Sequence, residues 1–111
     1  MELEFVRRLC SRLSPHRLVE VGPGDDGAVV ALDGSTNCVV TTDMLMDGVD
    51  FRLDEVDPCR IGRKALAVNL SDLAAMAAVP TAVVVSLALP QAGGLTLAER
   101  LYDGLLPLAA E

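Results

Sequence analysis

Aromatic residues are nearly missing from this 111-residue chain, in which Phe5, Phe51 and Tyr102 are the only three. Without aromatic faces there is no stacking platform for the bases of a single-stranded nucleic acid. Basic residues are scarce as well. Nine Lys and Arg against 16 Asp and Glu leave a formal net charge of −7, so there is no positive field for a phosphate backbone. The single histidine, His16, sits among loop residues and reads as a solvated side chain rather than a general base. Cys10, Cys38 and Cys59 are odd in number and form no Cys-x-x-Cys pair, and no secretory signal is evident. The expectation is a reduced, cytoplasmic protein. The longest uncharged run starts at Leu73 and extends past Leu89; its apolar part is interrupted by Pro80 and only just reaches the length of a membrane span. An Ala-rich helix followed by a Val-rich strand explains it better.

What the chain does have is aliphatic residues and carboxylates. About half of it, 51%, is hydrophobic, so a core must come from Val, Leu, Ala and Met, and the length suits one small domain. The acidic excess fits a protein that holds divalent cations. The carboxylates concentrate in residues 39–51, V-V-T-T-D-M-L-M-D-G-V-D-F. This stretch starts as a strand and ends as a loop carrying Asp43, Asp47 and Asp50, with Thr41 and Thr42 just ahead of them. Hydroxyls and carboxylates at a strand's end suit a hard cation such as Mg²⁺, which takes oxygen ligands and often shares them with phosphate. On this stretch alone an ordinary strand-to-turn reading stays open.

Leu3, Val6, Leu9, Cys10 and Leu13 recur at helical spacing, so residues 2–13 read as an amphipathic helix ended by Ser14-Pro15. Gly24-Asp25-Asp26-Gly27 is a turn with paired carboxylates; it is neither a Walker loop nor a dinucleotide fingerprint. Strands are expected at 28–32 and 38–42, joined by a hairpin at Asp33-Gly34. Such a hairpin brings its outer ends together, so Asp25 and Asp26 should lie near Asp43. Asp57 and Pro58 have the pattern of an N-cap and first helical residue, opening a helix that runs to about Ala78. From Ala65 to Val79 only Asn69, Ser71 and Asp72 are polar, so most of this helix is expected to be buried. Asn69 and Asp72, three apart, share a face. They either bond to nearby backbone or aim a carboxylate at a metal, and the convergent hairpin favours the second. Residues 81–89 read as an uncharged, buried strand. Thr96-Leu97-Ala98-Glu99 reads as a capping box for a last helix with Leu97, Leu101, Leu105 and Leu108 inward, kinked or ended by Pro107.

This order of elements, with Gly24-Asp25-Asp26, Thr41-Thr42-Asp43-Met44-Leu45 followed by Gly48 and Phe51, and Lys64-Ala65-Leu66-Ala67-Val68-Asn69-Leu70-Ser71-Asp72-Leu73-Ala74-Ala75-Met76, resembles the N-terminal domain of the thiamine-monophosphate kinase family. The resemblance runs from about Val19 to Leu89. It extends to a wider ATP-using superfamily that includes aminoimidazole ribonucleotide synthetase, selenophosphate synthetase and the hydrogenase-maturation dehydratase. It implies an α/β (α+β) fold of the aminoimidazole ribonucleotide synthetase N-terminal type, a small mixed or antiparallel sheet with helices packed on one face. Residues 1–111 would be an N-terminal ATP- and Mg²⁺-binding domain, truncated before a second α/β domain.

The implied activity is ATP-dependent phosphorylation of thiamine monophosphate to thiamine diphosphate. Asp26, Asp43 and Asp72 would be the carboxylates of a multi-Mg²⁺ cluster, with Thr41 and Thr42 as further oxygen ligands. The position of Asp50 is usually a histidine that contacts the thiamine substrate in this family; an aspartate there would meet the cationic thiazolium or the aminopyrimidine. Tyr102 falls where the family contacts nucleotide. The acceptor is already an anionic phosphate oxygen, so no catalytic side-chain base is expected, and the Mg²⁺ ions would neutralise and align the two phosphate chains. The family pairs subunits through this domain's sheet, which implies a homodimer. Nucleic acid and membrane are not expected partners. Two alternatives remain open: another ATP-using member of the superfamily with a different acceptor, or a catalytically silent dimerisation module.

Overall fold

The computed structural model describes residues 2–32 and 36–111. In chain order they form α1 (Glu2–Arg12), β1 (Val19–Val21), β2 (Ala28–Ala31), β3 (Asn37–Val40), α2 (Pro58–Ala75) and α3 (Gly94–Ala109). The fold is mixed α/β, with one three-stranded antiparallel sheet in the order β1-β2-β3. The chain divides into two compact units, Met1–Thr42 with Asp72–Val79, and Asp43–Ser71 with Pro80–Glu111.

In the first unit, β2 and β3 pair in continuous register from Ala28↔Val40 to Ala31↔Asn37. These Val-rich strands form because β-branched side chains fit a pleated surface. The Leu32 N–H bonds to the Thr36 carbonyl at 2.8 Å, just past the strands. The expected Asp33-Gly34 turn itself lies outside the described residues. β1, which the sequence reading did not anticipate, joins β2 through Val19↔Val30 and Val21↔Val29 with a register shift between them. Three residues are too few to show an alternating pattern, and the shift would break one. α1 forms as expected, with an Arg8–Glu4 ion pair one turn apart. Its apolar stripe is only partly covered: Val6 and Leu9 are half-buried, whereas Leu3, Phe5 and Leu13 are exposed.

In the second unit Asp57 caps α2 as expected, with Oδ1 accepting from the Cys59 N–H at 2.8 Å. The buried core is small and lies here: Ile61 is 4% exposed, and Leu66 and Leu105 are 6% each. α2 and α3 meet at a reciprocal glycine contact. A Cβ on Gly62 would fall 1.8 Å from the Leu101 carbonyl oxygen, and one on Gly104 would fall 1.7 Å from that of Cys59. Backbone can approach backbone this closely only where both helices carry glycine. On α3, Leu97, Leu101 and Leu108 are half-buried and Leu105 is buried, which is the inward stripe expected.

Several expectations are corrected. α2 ends at Ala75, three residues earlier than its apolar run suggests, and Ala77 is the cause. It adopts φ 53°, while the Ala78 and Ala77 N–H groups reach back to the Leu73 and Ala74 carbonyls at 2.9 and 3.0 Å. This is a Schellman ending with alanine in the left-handed position usually given to glycine. Nor is α2 mostly buried: only Ile61, Gly62 and Leu66 are, because little in this chain covers its remaining apolar face. Residues 81–89 are not a strand. All but Val85 are exposed, Val84 at 97%, and among the described residues they join no ladder, without which an apolar β-prone segment stays irregular. α3 starts at Gly94 rather than at Thr96, with left-handed Gly93 as a cap that makes no side-chain bond. Pro107 lies within α3 without ending it, since only the last turn follows and a single backbone bond is lost.

Candidate functional site

The β2–β3 register, extended two residues past Ala28↔Val40, brings Asp26 level with Thr42, just beyond the ladder. Gly27 makes that approach possible: a Cβ there would meet the Val40 carbonyl oxygen at 3.2 Å and the Val39 and Met76 side chains at 3.4 Å. The Thr41 hydroxyl lies 2.9 Å from the Asp26 carbonyl oxygen and 3.3 Å from Asp72 Oδ2. One hydroxyl therefore links the Gly-Asp-Asp loop, the end of β3 and the last turn of α2, all within the first unit. Asp25 turns inward on its own loop, with Oδ1 accepting from the Asp26 N–H at 2.8 Å. Asp72 is half-buried rather than buried, which eases the cost of an ionised carboxylate there.

Of the residues singled out for a cation, the structure brings Asp26, Thr41 and Asp72 together. Thr42 and Asp43 are exposed and continue the chain past β3, with Asp43 opening the second unit. Among the described residues, no three His, Cys, Asp or Glu side chains gather closely enough to hold a metal ion. The donor set at Thr41 is a main-chain carbonyl, a hydroxyl and a carboxylate. All are hard oxygens, which fits Mg²⁺ in chemistry, since that ion is commonly held by one or two carboxylates together with phosphate and water. Asn69 takes the other role weighed for it, donating its amide to the Ala65 carbonyl one turn back at 2.9 Å.

In the second unit Asp50 is part of a self-bonded loop. Its Oδ2 accepts from the Met46 N–H at 2.7 Å, and Asp47 Oδ1 accepts from the Leu53 N–H at 2.9 Å. Gly48, at φ 82°, supplies the left-handed turn between them. Asp47 thus serves the loop, and Lys64 reaches the same loop by donating to the Asp50 carbonyl at 2.6 Å. Sequence reasoning did not find this contact, because 14 residues separate the partners and a lysine on a helix normally reads as a solvated face. Tyr102 is half-buried on α3. Arg100 binds both Asp57 oxygens through Nη2 at 3.0 and 3.1 Å, and Nη1 reaches Asp103 at 3.2 Å. The Asp57 charge, followed by the Asp103 hydrogen bond, holds the guanidinium above its ordinary value. The three cysteines are free thiols, and no described helix is long and apolar enough to cross a membrane.

A small antiparallel sheet flanked in sequence by helices defines a mixed α/β fold, with oxygen donors near the ends of its strands. Residues 24–111 match the AIR synthase related protein, N-terminal domain family, and the chain belongs to that family. It is similar to curated proteins named thiamine-monophosphate kinase. That of Rhodopirellula baltica is 42% identical over 116 residues, covering 98% of this chain and 37% of the relative. That of Bacillus subtilis is 36% identical over 108 residues, covering 97% and 33%. That of Escherichia coli is 40% identical over 108 residues, covering 96% and 33%. The chain spans about a third of the length of these relatives. No solved structure gives a significant match.

Proposed function

We propose that this chain is the ATP- and Mg²⁺-binding part of a thiamine-monophosphate kinase. The observation that carries the reading is the Thr41 hydroxyl set between the Asp26 carbonyl and Asp72 Oδ2, in a chain whose relatives bear that name. In the reaction, an oxygen of the substrate's phosphate bonds to the γ-phosphorus of ATP. The bond from that phosphorus to the bridging oxygen breaks, and ADP leaves.

Asp26, Asp43 and Asp72, with Thr41 and Thr42, would hold Mg²⁺ in this reading. When bound, the ions would supply neutralising charge to both phosphate chains and a template for in-line transfer. The rest falls to the chain itself. Thr41 fixes the Asp26 carbonyl relative to the Asp72 carboxylate, Asp50 meets the cationic part of the substrate, and Tyr102 contacts the nucleotide. A homodimer formed through the sheet and a cytoplasmic setting complete the proposal.

The test is Mn²⁺ binding, as a paramagnetic stand-in for Mg²⁺, followed by electron paramagnetic resonance. The chain should bind the ion, and Asp43→Asn and Asp72→Asn should each weaken binding about tenfold or more, the loss of a charged ligand. Unchanged binding in both variants would instead support a catalytically silent dimerisation module. That second reading draws on the lack of three clustered acidic, His or Cys side chains among the described residues. Thermal-shift measurements with Mg·ATP and thiamine monophosphate, aminoimidazole precursors or selenide analogues distinguish the proposed acceptor from those of other superfamily members.

A further inference from the structure

Lys64 is the only lysine among the nine Lys and Arg residues of the chain. It lies in the second turn of α2, and helical side chains lean back toward the helix N-terminus. Its stem therefore returns to the loop preceding α2, where Nζ donates to the Asp50 carbonyl at 2.6 Å. Among the described residues no Asp or Glu oxygen lies within ion-pair distance of Nζ. An ammonium has three donors, so two remain for something other than the loop.

Asp50 is likewise half engaged. Oδ2 is tied to the Met46 N–H, and Oδ1 stays outside the loop's own hydrogen bonds. The loop conformation is fixed independently by Asp47 on the Leu53 N–H and by the Gly48 N–H on the Phe51 carbonyl at 2.8 Å. The exposed loop and the lysine that reaches its backbone thus carry a carboxylate oxygen and an ammonium with no ion pair between them. A ligand of one sign would meet repulsion from one of the two. A ligand with a cation and an anion on a short linker would satisfy both.

We propose that Lys64 is a specificity-determining residue that takes the phosphate of a zwitterionic phosphate ester whose cation meets Asp50 Oδ1. The inference rests on the function proposed above, in which the substrate joins a thiazolium to a phosphate. A lysine suits this position better than arginine, because a compact ammonium can hold a carbonyl and a phosphate at once, whereas a guanidinium presents its donors in one plane.

Calorimetry in metal-free buffer tests the assignment, since removing metal silences any phosphate site built on Mg²⁺. The unmodified chain should bind thiamine monophosphate more tightly than thiamine, and inorganic phosphate should compete with the former only. Lys64→Gln should weaken thiamine monophosphate about 10- to 100-fold, the loss of one or two charge-assisted bonds, and leave thiamine within about twofold. Asp50→Asn should weaken both. Equal losses of both ligands in Lys64→Gln would reduce Lys64 to a loop support and overturn the inference. So would phosphate competing with neither ligand in the unmodified chain, a result that needs no variant to fold. If the unmodified chain binds neither thiamine compound without metal but binds thiamine monophosphate once Mg²⁺ is added, the inference falls and the proposed function stands; if it binds neither with Mg²⁺ present, both fall. If binding occurs but Lys64→Gln leaves it unchanged, only the inference falls.

Discussion

Thr41 has one hydroxyl proton and two acceptors, the Asp26 carbonyl and Asp72 Oδ2. It can donate to one at a time, and in the proposed function the other oxygen is the one open to Mg²⁺. Replacing it by valine keeps the shape and removes the donor, so Thr41→Val should lower unfolding free energy by about 1 kcal/mol and weaken Mn²⁺ binding. Thr41→Ser should restore both, as urea titration and paramagnetic resonance would report. Ala77 offers the opposite change. Its left-handed φ of 53° costs an L-residue about 1–2 kcal/mol, partly offset by the greater entropy glycine loses on folding. Ala77→Gly should therefore stabilise the chain by about 0.5–1 kcal/mol, and a lower urea midpoint would disprove the account. What is local in the hairpin is legible in the sequence: its register brings Asp26 level with Thr42 and the Asp26 carbonyl onto the Thr41 hydroxyl, just short of the Asp43 to which the sequence points. Lys64 was missed because nothing local links a helix side chain to a loop carbonyl 14 residues earlier.

At the scale of elements, the crossing of α2 and α3 depends on two missing methyl groups. Helix propensity alone would favour Gly62→Ala or Gly104→Ala by about 1 kcal/mol. The new methyl would instead collide with a backbone carbonyl, which cannot rotate away as a side chain can. The collision should win, with each substitution costing about 3 kcal/mol or more in urea unfolding. The start of α2 is a second test. Asp57 both caps the helix and receives Arg100. Asp57→Asn keeps a capping oxygen and loses the charge pair, whereas Asp57→Ala loses both and should cost about 0.5–2 kcal/mol. A small difference between Asn and the wild type would mark the ion pair as the minor partner, as expected for side chains about half exposed. Because the Arg100 value is raised, its contribution is complete below the unfolded-state value and lost only as pH climbs through the folded one. Both lie far above neutrality, so the arginine side of this pair should give no pH dependence near pH 7.

Over the whole molecule, the apolar surface left open is large. Among the described residues Ile61, Leu66 and Leu105 are the buried hydrophobics, while Val79, Val83, Val84, Leu87 and Leu89 are exposed along a single segment. Large apolar side chains exposed this closely along the chain mark an interaction site or an aggregation hazard where they form one patch. For the homodimer proposed through the sheet, sedimentation should show association that increases with concentration. A strictly monomeric chain at every concentration would count against that part of the proposal.

The sequence by itself determined where α1 and α2 begin, the pairing of β2 with β3, and a family resemblance that the relatives bear out. The helix starts and the strand pairing rest on periodicity, caps and register, which act over a few residues, and the resemblance on short motifs in a fixed order. Only the tertiary structure decided that residues 81–89 are not a strand and that α2 is largely uncovered. Both depend on what lies alongside, since a strand needs a ladder and an apolar face needs a neighbour. It likewise decided that α2 and α3 cross through paired glycines, because a glycine in a helix reads as a weakness until a second backbone is found against it.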